Sequence, residues 1–480
     1  MHMGFLDKDR ITTLKLSLLT HKWIIIVLSL AIFLRFWNVP ELFFFGIDEE
    51  YQSLLGWSIV KDFHVIWIGT SMADTGFYLG PGFVYLHSFL LSISEGDPVI
   101  LGYAGSTIGV LTMLVIFFVT QNLFTPRTAF IATILYGFSN FMNIYDRKFW
   151  NPTLVPLISL LMIYVLYKTS VNDRWWVAVA FLLGVIVHIH ASLFVYFLIV
   201  PIIFLISSRK ERLKISISTI AMSIIIFITV YSPLIVYDIA KNFDNLKTPL
   251  RLLTRQSGEV STIEWGFIIE IISRSFFSQS NFLLTMGIVI LTLCILVQIW
   301  QQRSHYKYRL LGLVGITYII MFLLYPGKIL EYYLLGCIPV LFILTSVILA
   351  RIPRITLTIL LTIYIFVNIT AFIRTDSTSG LATKKTFVKK VSTEIGTQKY
   401  ELVTPEPYLR NGSWRYLFQA YSKTPIRSTA DGMFGWIYQD EILNNQTSDM
   451  TLYISTNESK PQEYDIKITE GPFNAYIINK

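Results

Sequence analysis

The stretch whose reading decides the fold is residues 43–62, FFFGIDEEYQSLLGWSIVKD. Three consecutive carboxylates, Asp48, Glu49 and Glu50, stand directly behind an apolar segment at 23–37 that can enter a bilayer. Acidic groups at a membrane surface are costly unless something there uses them. Behind them Tyr51, Leu54, Leu55 and Ile59 recur at helical spacing, which predicts a helix starting near Asp48 and lying along the membrane surface. The helix itself accounts for some of this charge, with Asp48 as cap and Glu49 and Glu50 in a first turn favoured by the helix dipole. That explains one acid comfortably and three only partly. The role left over is proton abstraction from an incoming hydroxyl by Asp48 or Glu49.

Outward from this corner, the chain has 480 residues, of which 54% are hydrophobic and 15% charged. A soluble domain of that length carries more charge and fewer long apolar runs. Apolar segments of roughly 16 to 24 residues recur from 23 to 373, each able to cross a hydrocarbon core about 30 Å thick. The expected fold is an all-α polytopic membrane protein of about eleven transmembrane helices, with a small α/β domain after it. The formal charge of +8 does not point to nucleic acid, because the basic residues fall mainly in short loops between spans. Cys294 and Cys337 lie inside apolar spans and read as small buried residues, not a disulfide or metal pair. The first span is followed by an acidic loop without a small-residue cleavage site, so no cleavable signal peptide is expected.

Charge sets the expected orientation. The head, 1–22, carries Lys8, Arg10, Lys15 and Lys22 and is placed in the cytoplasm. The catalytic membrane module is 23–373, and its first external loop, 38–97, holds interfacial helices. The apolar piece 77–93 is read as lying on the surface. Counting it as a span would turn most of the later basic loops outward. The remaining spans then run to 355–373, with a long external loop at 232–280. From 374 to 480 the composition becomes polar. Strand-like alternation at 400–403, 450–454, 464–468 and 475–478, with a helical run at 414–421, predicts a small extracytoplasmic α/β domain. Sequons at Asn411, Asn445 and Asn457 are too common by chance to imply glycosylation.

With this topology, polar residues from distant parts of the chain gather on the outer face. Arg147 and Lys148 lie outside, where the orientation rule disfavours basic residues, and Lys328 sits in the external turn PGKILE. Exposed loop cations are the plain reading. Binding of phosphate oxygens is the sharper one, and their shared face favours it. Trp150, Asn151, Glu331 and Tyr332 are expected to line a substrate cavity there, with His188 and His190. The two histidines are two residues apart, so a helix points them to nearly opposite sides: one packed, one facing the cavity. With no Cys cluster and no HExxH, no tightly held metal is expected, and a weak divalent-cation role at the acids stays open.

An N-terminal span followed by the external pair Asp48-Glu49 resembles the GT-C membrane glycosyltransferases, closest to the protein O-mannosyltransferases and the aminoarabinose transferase-like enzymes. Tyr78-Leu79-Gly80-Pro81-Gly82, Phe124-Thr125-Pro126-Arg127 and Arg147-Lys148-Phe149-Trp150-Asn151-Pro152 match that family's further motifs in order, over roughly residues 20–375. The resemblance implies inverting transfer of a hexose or pentose from a polyprenyl-phosphate donor to an acceptor hydroxyl on a glycan, lipid or protein at the external face. It implies Asp48 as catalytic base, Glu49 as its assistant, and basic donor-phosphate contacts, for which Arg147, Lys148 and Lys328 are the candidates. No cofactor is required. The competing classes are a lipid-sugar transporter or flippase and a polysaccharide polymerase. Transporters place ionisable residues at mid-membrane and show paired repeats or broken helices, whereas here the mid-span charges are few, the acids lie at the outer edge and no repeat is seen.

Overall fold

The computed structural model describes residues 25–71, 75–210, 215–254, 265–323, 325, 330–405, 407, 412–443, 446–456 and 459–480. Helix α1 (Ile25–Phe36) leads into the single turn α2 (Val39–Leu42), then α3 (Ile47–Asp62). Helix α4 (Gly82–Ile93) packs on α3. Its 12 residues span only about 18 Å at 1.5 Å each, short of a hydrocarbon core. Its outward face carries Tyr85, Phe89 and Ile93 at four-residue spacing, while Phe83, His87 and Leu91 are buried against the body.

Helix α5 (Val99–Leu123) begins behind Pro98, and α6 (Pro126–Phe138) begins with a proline at its first position, where the missing N–H costs nothing. The largely apolar segment 128–144 is broken at Ser139. That hydroxyl caps α7 (Asn140–Arg147) by accepting from Met142 N at 3.2 Å. The break turns Asp146 back into the bundle. There it receives Arg35 at 2.8 Å and the Tyr136 hydroxyl at 2.9 Å, all three groups buried.

Helices α8 (Val155–Thr169), α9 (Trp175–Ile186), α10 (Val195–Lys210) and α11 (Ile217–Ala240) follow, with α9 packed along α11. Helix α11 runs through Pro233 to Ala240, past the point where an external loop was expected, because its sequence stays largely apolar to Val236 and one missing N–H is tolerated in such helices. The rest of that loop region forms the amphipathic helices α12 (Asp244–Thr254) and α13 (Trp265–Phe277). Helices α14 (Phe282–Gln301), α15 (Tyr306–Leu323), α16 (Ile338–Leu349) and α17 (Arg354–Ile373) complete the bundle. Among the described residues six helices are long and apolar enough to cross a membrane, at 99–123, 151–169, 217–240, 282–301, 306–323 and 354–373.

Past α17 lies α18 (Leu381–Ile395), which was not expected, then β1 (Tyr400–Val403), α19 (Arg415–Tyr421), β2 (Arg427–Ser428), the short α20 (Asp431–Phe434), β3 (Met450–Ser455), β4 (Ile466–Glu470) and β5 (Phe473–Asn479). The five-stranded sheet has the order β2-β1-β3-β5-β4, with β1 parallel to β2 and β3 and the other pairs antiparallel. Leu381, Val388, Val391 and Ile395 recur at helical spacing and bury one side of α18 with Leu452, Ile454 and Ile477 of the sheet. The same core continues into the helical body through Val39, Phe43, Phe45, Leu101 and Phe149. Burying a phenylalanine is worth roughly 1.5–3 kcal/mol, whereas the half-exposed Lys385–Asp97 ion pair across the seam contributes at most about 1 kcal/mol. The apolar seam therefore fixes the sheet domain over the start of α3.

A candidate active site where two cavities meet at Asp48

Helix α3 starts at Gly46, whose N–H donates to Glu49 Oε2 at 3.0 Å. The three acids behind it have three separate fates. Glu49 is buried and closes its own helix turn. Glu50 is fully buried and accepts from the backbone N–H groups of Ser413 at 2.8 Å and Tyr416 at 3.2 Å, clamping the sheet domain. Asp48 makes neither kind of bond and faces open space.

That space is two cavities. One, of about 320 Å³, lies under the sheet domain, and the other, of about 580 Å³, lies against the helical body. Ile47, Asp48 and Trp150 line both. Asp48 is reached by solvent from the cavities yet enclosed by protein on most sides. This burial raises its pKa above the usual carboxylate range, and the charge of Lys148 opposes the rise. Burial, then the neighbouring Asp48 charge, pushes Glu49 up to about 7.

Lys148 follows α7 and lies over two rings, 4.7 Å from the centre of Trp150 and 5.2 Å from Tyr145. It lines the domain-side cavity with both acids. Its neighbour Arg147 turns the other way. It donates to Leu34 O and to Asn143 O at 3.3 Å, stacks on Phe372 and lines neither cavity. Consecutive residues at the end of a helix point about 100° apart, which separates the pair. Arg147 is thus not brought to Asp48. Lys328 lies outside the described residues.

The helix-side cavity is walled by Tyr51 and Gln52 of α3, by Asn151, His190 and Tyr332, and by Met321 and Phe322 of α15. Gln52 lies one helical turn beyond Asp48 and donates to Asn151 Oδ1 at 2.7 Å, while Asn151 donates to Ile189 O at 2.9 Å. Trp150 meets Tyr332 edge to face at 4.6 Å, and His190 sits 5.7 Å from Tyr332. Burial pushes His190 down to about 4, so it is neutral, and its Nδ1 caps the turn at Ser192.

His188 lines neither cavity. Its Nδ1 accepts from Gly82 N at 3.2 Å and its Nε2 meets Val230 O at 2.8 Å, which puts its proton on Nε2. It packs so closely on the 80–82 turn that a Cβ at Gly80 would lie 2.1 Å from the ring. Glu331 also lies off the cavities. It accepts from the Tyr145 hydroxyl and from Arg274 Nη1 at 2.6 Å, and so ties the Tyr332 turn to α7 and α13.

The sequence reading missed three residues here. Lys384 of α18 lines the domain-side cavity and donates to Phe45 O at 2.8 Å and Ser413 Oγ at 2.6 Å. Burial pulls it down to about 8 despite the nearby Glu50 and Glu49. Arg274 and Glu50 are the other two. A lysine on the buried side of α18 was the one available signal. Among the described residues no group of three or more His, Cys, Asp or Glu is placed to hold a metal ion.

The fold that carries this site is shared with solved structures of membrane proteins. The structure of ArnT from Cupriavidus metallidurans in the apo state matches at a TM-score of 0.65 with 10% identity, covering 95% of this chain and 98% of that one. The same protein bound to undecaprenyl phosphate matches at 0.60 with 11% identity, over 90% and 93%. The apo oligosaccharyltransferase of Archaeoglobus fulgidus matches at 0.52 with 14% identity, over 91% of this chain and 69% of that one. The family model described as dolichyl-phosphate-mannose-protein mannosyltransferase matches residues 80–237. No curated protein sequence matches the chain.

Proposed function

We propose that this chain is an inverting glycosyltransferase that moves a sugar from a polyprenyl-phosphate donor to an acceptor hydroxyl at the extracytoplasmic face. The observation that carries the reading is the position of Asp48 on the shared wall of two cavities. The helix-side cavity, with Met321, Phe322 and Phe194 in its wall, suits the apolar donor, and ArnT, the fold's relative, binds undecaprenyl phosphate. The domain-side cavity suits the acceptor. In this reading the sheet domain, 374–480, and the α3 acids face outward. The basic loops at 127, 168–174, 303–309 and 351–354 face the cytoplasm.

The acceptor oxygen attacks the anomeric carbon from the side opposite the phosphate and gives its proton to Asp48. The carbon–oxygen bond to phosphate breaks, and its electron pair leaves as polyprenyl phosphate. Asp48 then returns the proton to water. A raised pKa makes Asp48 a stronger base than an ordinary carboxylate. Lys148, over the Trp150 ring on the wall the two cavities share, offsets in this reading the charge gathering on the departing phosphate. Glu49 stays with its helix turn and adjusts Asp48 through charge. No cofactor is needed for this chemistry, and a divalent cation would act only as a weak auxiliary to Lys148.

The test is transfer from labelled polyprenyl-phosphate sugars in membranes holding the full chain. Asp48→Asn is expected to lower turnover by about 10²–10⁴-fold, the range of a positioned base. Wild-type turnover in that variant refutes the base assignment.

A further inference from the structure

If the chain is the transferase proposed above, the domain-side cavity holds its acceptor, and three features of that cavity limit what the acceptor can be. None of the cavity's described lining residues comes from the six span-length helices, so its ligand enters from the aqueous side, not from lipid. Its volume, about 320 Å³, is at the low end of ligand pockets of roughly 300–1,000 Å³, enough for one or two rings and too little for an extended peptide. Its surface joins a half-exposed aromatic face, Phe44 at 49%, to a rim of hydroxyls and carboxylate at Asp376, Thr378 and Ser379. Carboxylate and hydroxyl oxygens accept hydrogen bonds from hydroxyl groups, and an apolar ring covers the C–H face of a sugar.

Charge narrows the class further. The described lining holds three carboxylates, Asp48, Glu49 and Asp376, and two ammonium groups, Lys148 and Lys384. Lys384 is occupied by Phe45 O and Ser413 Oγ, and Lys148 is committed, in the reading above, to the departing donor phosphate. Among the described residues no lining cation is left over for a phosphorylated or acidic acceptor, which the carboxylates would repel.

We propose that the acceptor is an uncharged glycan, whose terminal sugar lies on Phe44 under the sheet domain and presents one hydroxyl to Asp48. In the transfer that hydroxyl loses its proton to Asp48, its oxygen forms the new glycosidic bond, and the phosphate leaves with the old bond's electrons.

The experiment uses the full chain in lipid nanodiscs with labelled polyprenyl-phosphate hexose and pentose donors. A neutral oligosaccharide mixture, a Ser/Thr peptide and a phosphorylated glycolipid are offered as acceptors. The expected result is label in the neutral oligosaccharides. Thr378→Trp, which fills the cavity from its exposed rim, is expected to raise the KM for oligosaccharide roughly tenfold, equivalent to about 1.4 kcal/mol, with the donor KM unmoved. Asp376→Asn, also at the exposed rim, is expected to raise it in the same direction. Label in the peptide or in the phosphorylated glycolipid overturns the inference, as does a rise in donor KM instead of acceptor KM. If sugar is released from donor in an Asp48-dependent way but neutral glycans stay unlabelled, this inference alone falls. If Asp48 has no effect on the donor at all, the underlying transferase reading falls with it.

Discussion

Asp48 and Lys148 form the smallest unit of the proposed chemistry. Burial raises Asp48 and Lys148 lowers it, so removing the lysine leaves burial unopposed. A base works only when deprotonated. Lys148→Met should therefore move the acid limb of the kcat/KM profile to higher pH, in addition to lowering the plateau, and a pH series on both proteins reads it directly. Glu49 offers a stability test. Its pKa is raised from 4.5 to about 7, so its contribution is full below 4.5 and lost as pH rises through about 7. Glu49→Gln keeps an oxygen to accept from Gly46 and removes the titration. The variant's Tm should be flatter than wild type across that window, as thermal unfolding in detergent would show. The sequence singled out Asp48 because an unexplained acid beside a span has few other uses, and the structure sets it on the wall of both cavities. It could not divide Arg147 from Lys148, since which of two adjacent side chains reaches a cavity depends on where a helix stops. Nor could it find the clamp made by Glu50, whose partners Ser413 and Tyr416 lie hundreds of residues away, or the approach of Lys384 to Phe45.

At the level of elements, the turn carrying Lys148 and Trp150 is held by how closely it approaches α5. A Cβ at Gly105 would lie 2.5 Å from Lys148 O and 2.9 Å from Asp146 O, both backbone atoms that cannot yield cheaply. Gly105→Val should push the turn off α5, cost about 1–3 kcal/mol in stability, and lower transfer at least as much as loss of Lys148 does. Gly287, in α14, has open space around it, so Gly287→Ala serves as a control and should be neutral or stabilising by up to about 1 kcal/mol. Activity and unfolding temperature measured together separate the two outcomes. The apolar runs at 99–123, 282–301 and 354–373 were plain in the sequence, because a bilayer-length run of apolar side chains seldom arises in a soluble core. The break at Ser139 and the passage of α11 through Pro233 were not. Both depend on tertiary partners, Arg35 with Asp146 in the first case and the flank of α9 in the second. Strands β1, β3, β4 and β5 were legible from alternation, but the two-residue β2 was not, and nor was α18, since its apolar positions are separated by lysines and threonines.

For the whole molecule, the sheet domain is a wall of the candidate site. It supplies Lys384, Ser413 and Trp414 to one cavity and Met433 and Phe434 to the other. The clamp that holds it there includes Glu50, whose carboxylate takes two buried backbone N–H groups at the start of α19. An alanine at position 50 would leave both donors without a partner, at about 1–3 kcal/mol each, while Glu50 makes no part of the bundle's own apolar core. Glu50→Ala is therefore expected to loosen the domain on an intact bundle, to expose the 374–380 connection to protease, and to lower transfer at both cavities. Glu50→Gln retains an accepting oxygen and should sit between the two. Limited proteolysis of the full chain in nanodiscs, read beside donor and acceptor KM, tests this. Normal KM values in a variant whose connection is cut as fast as an unfolded segment would mean that the domain is a passenger. Parallel losses in protection and in both KM values would mean that it is part of the enzyme's binding surface, held in register with Asp48 by the acid two residues further along the same helix.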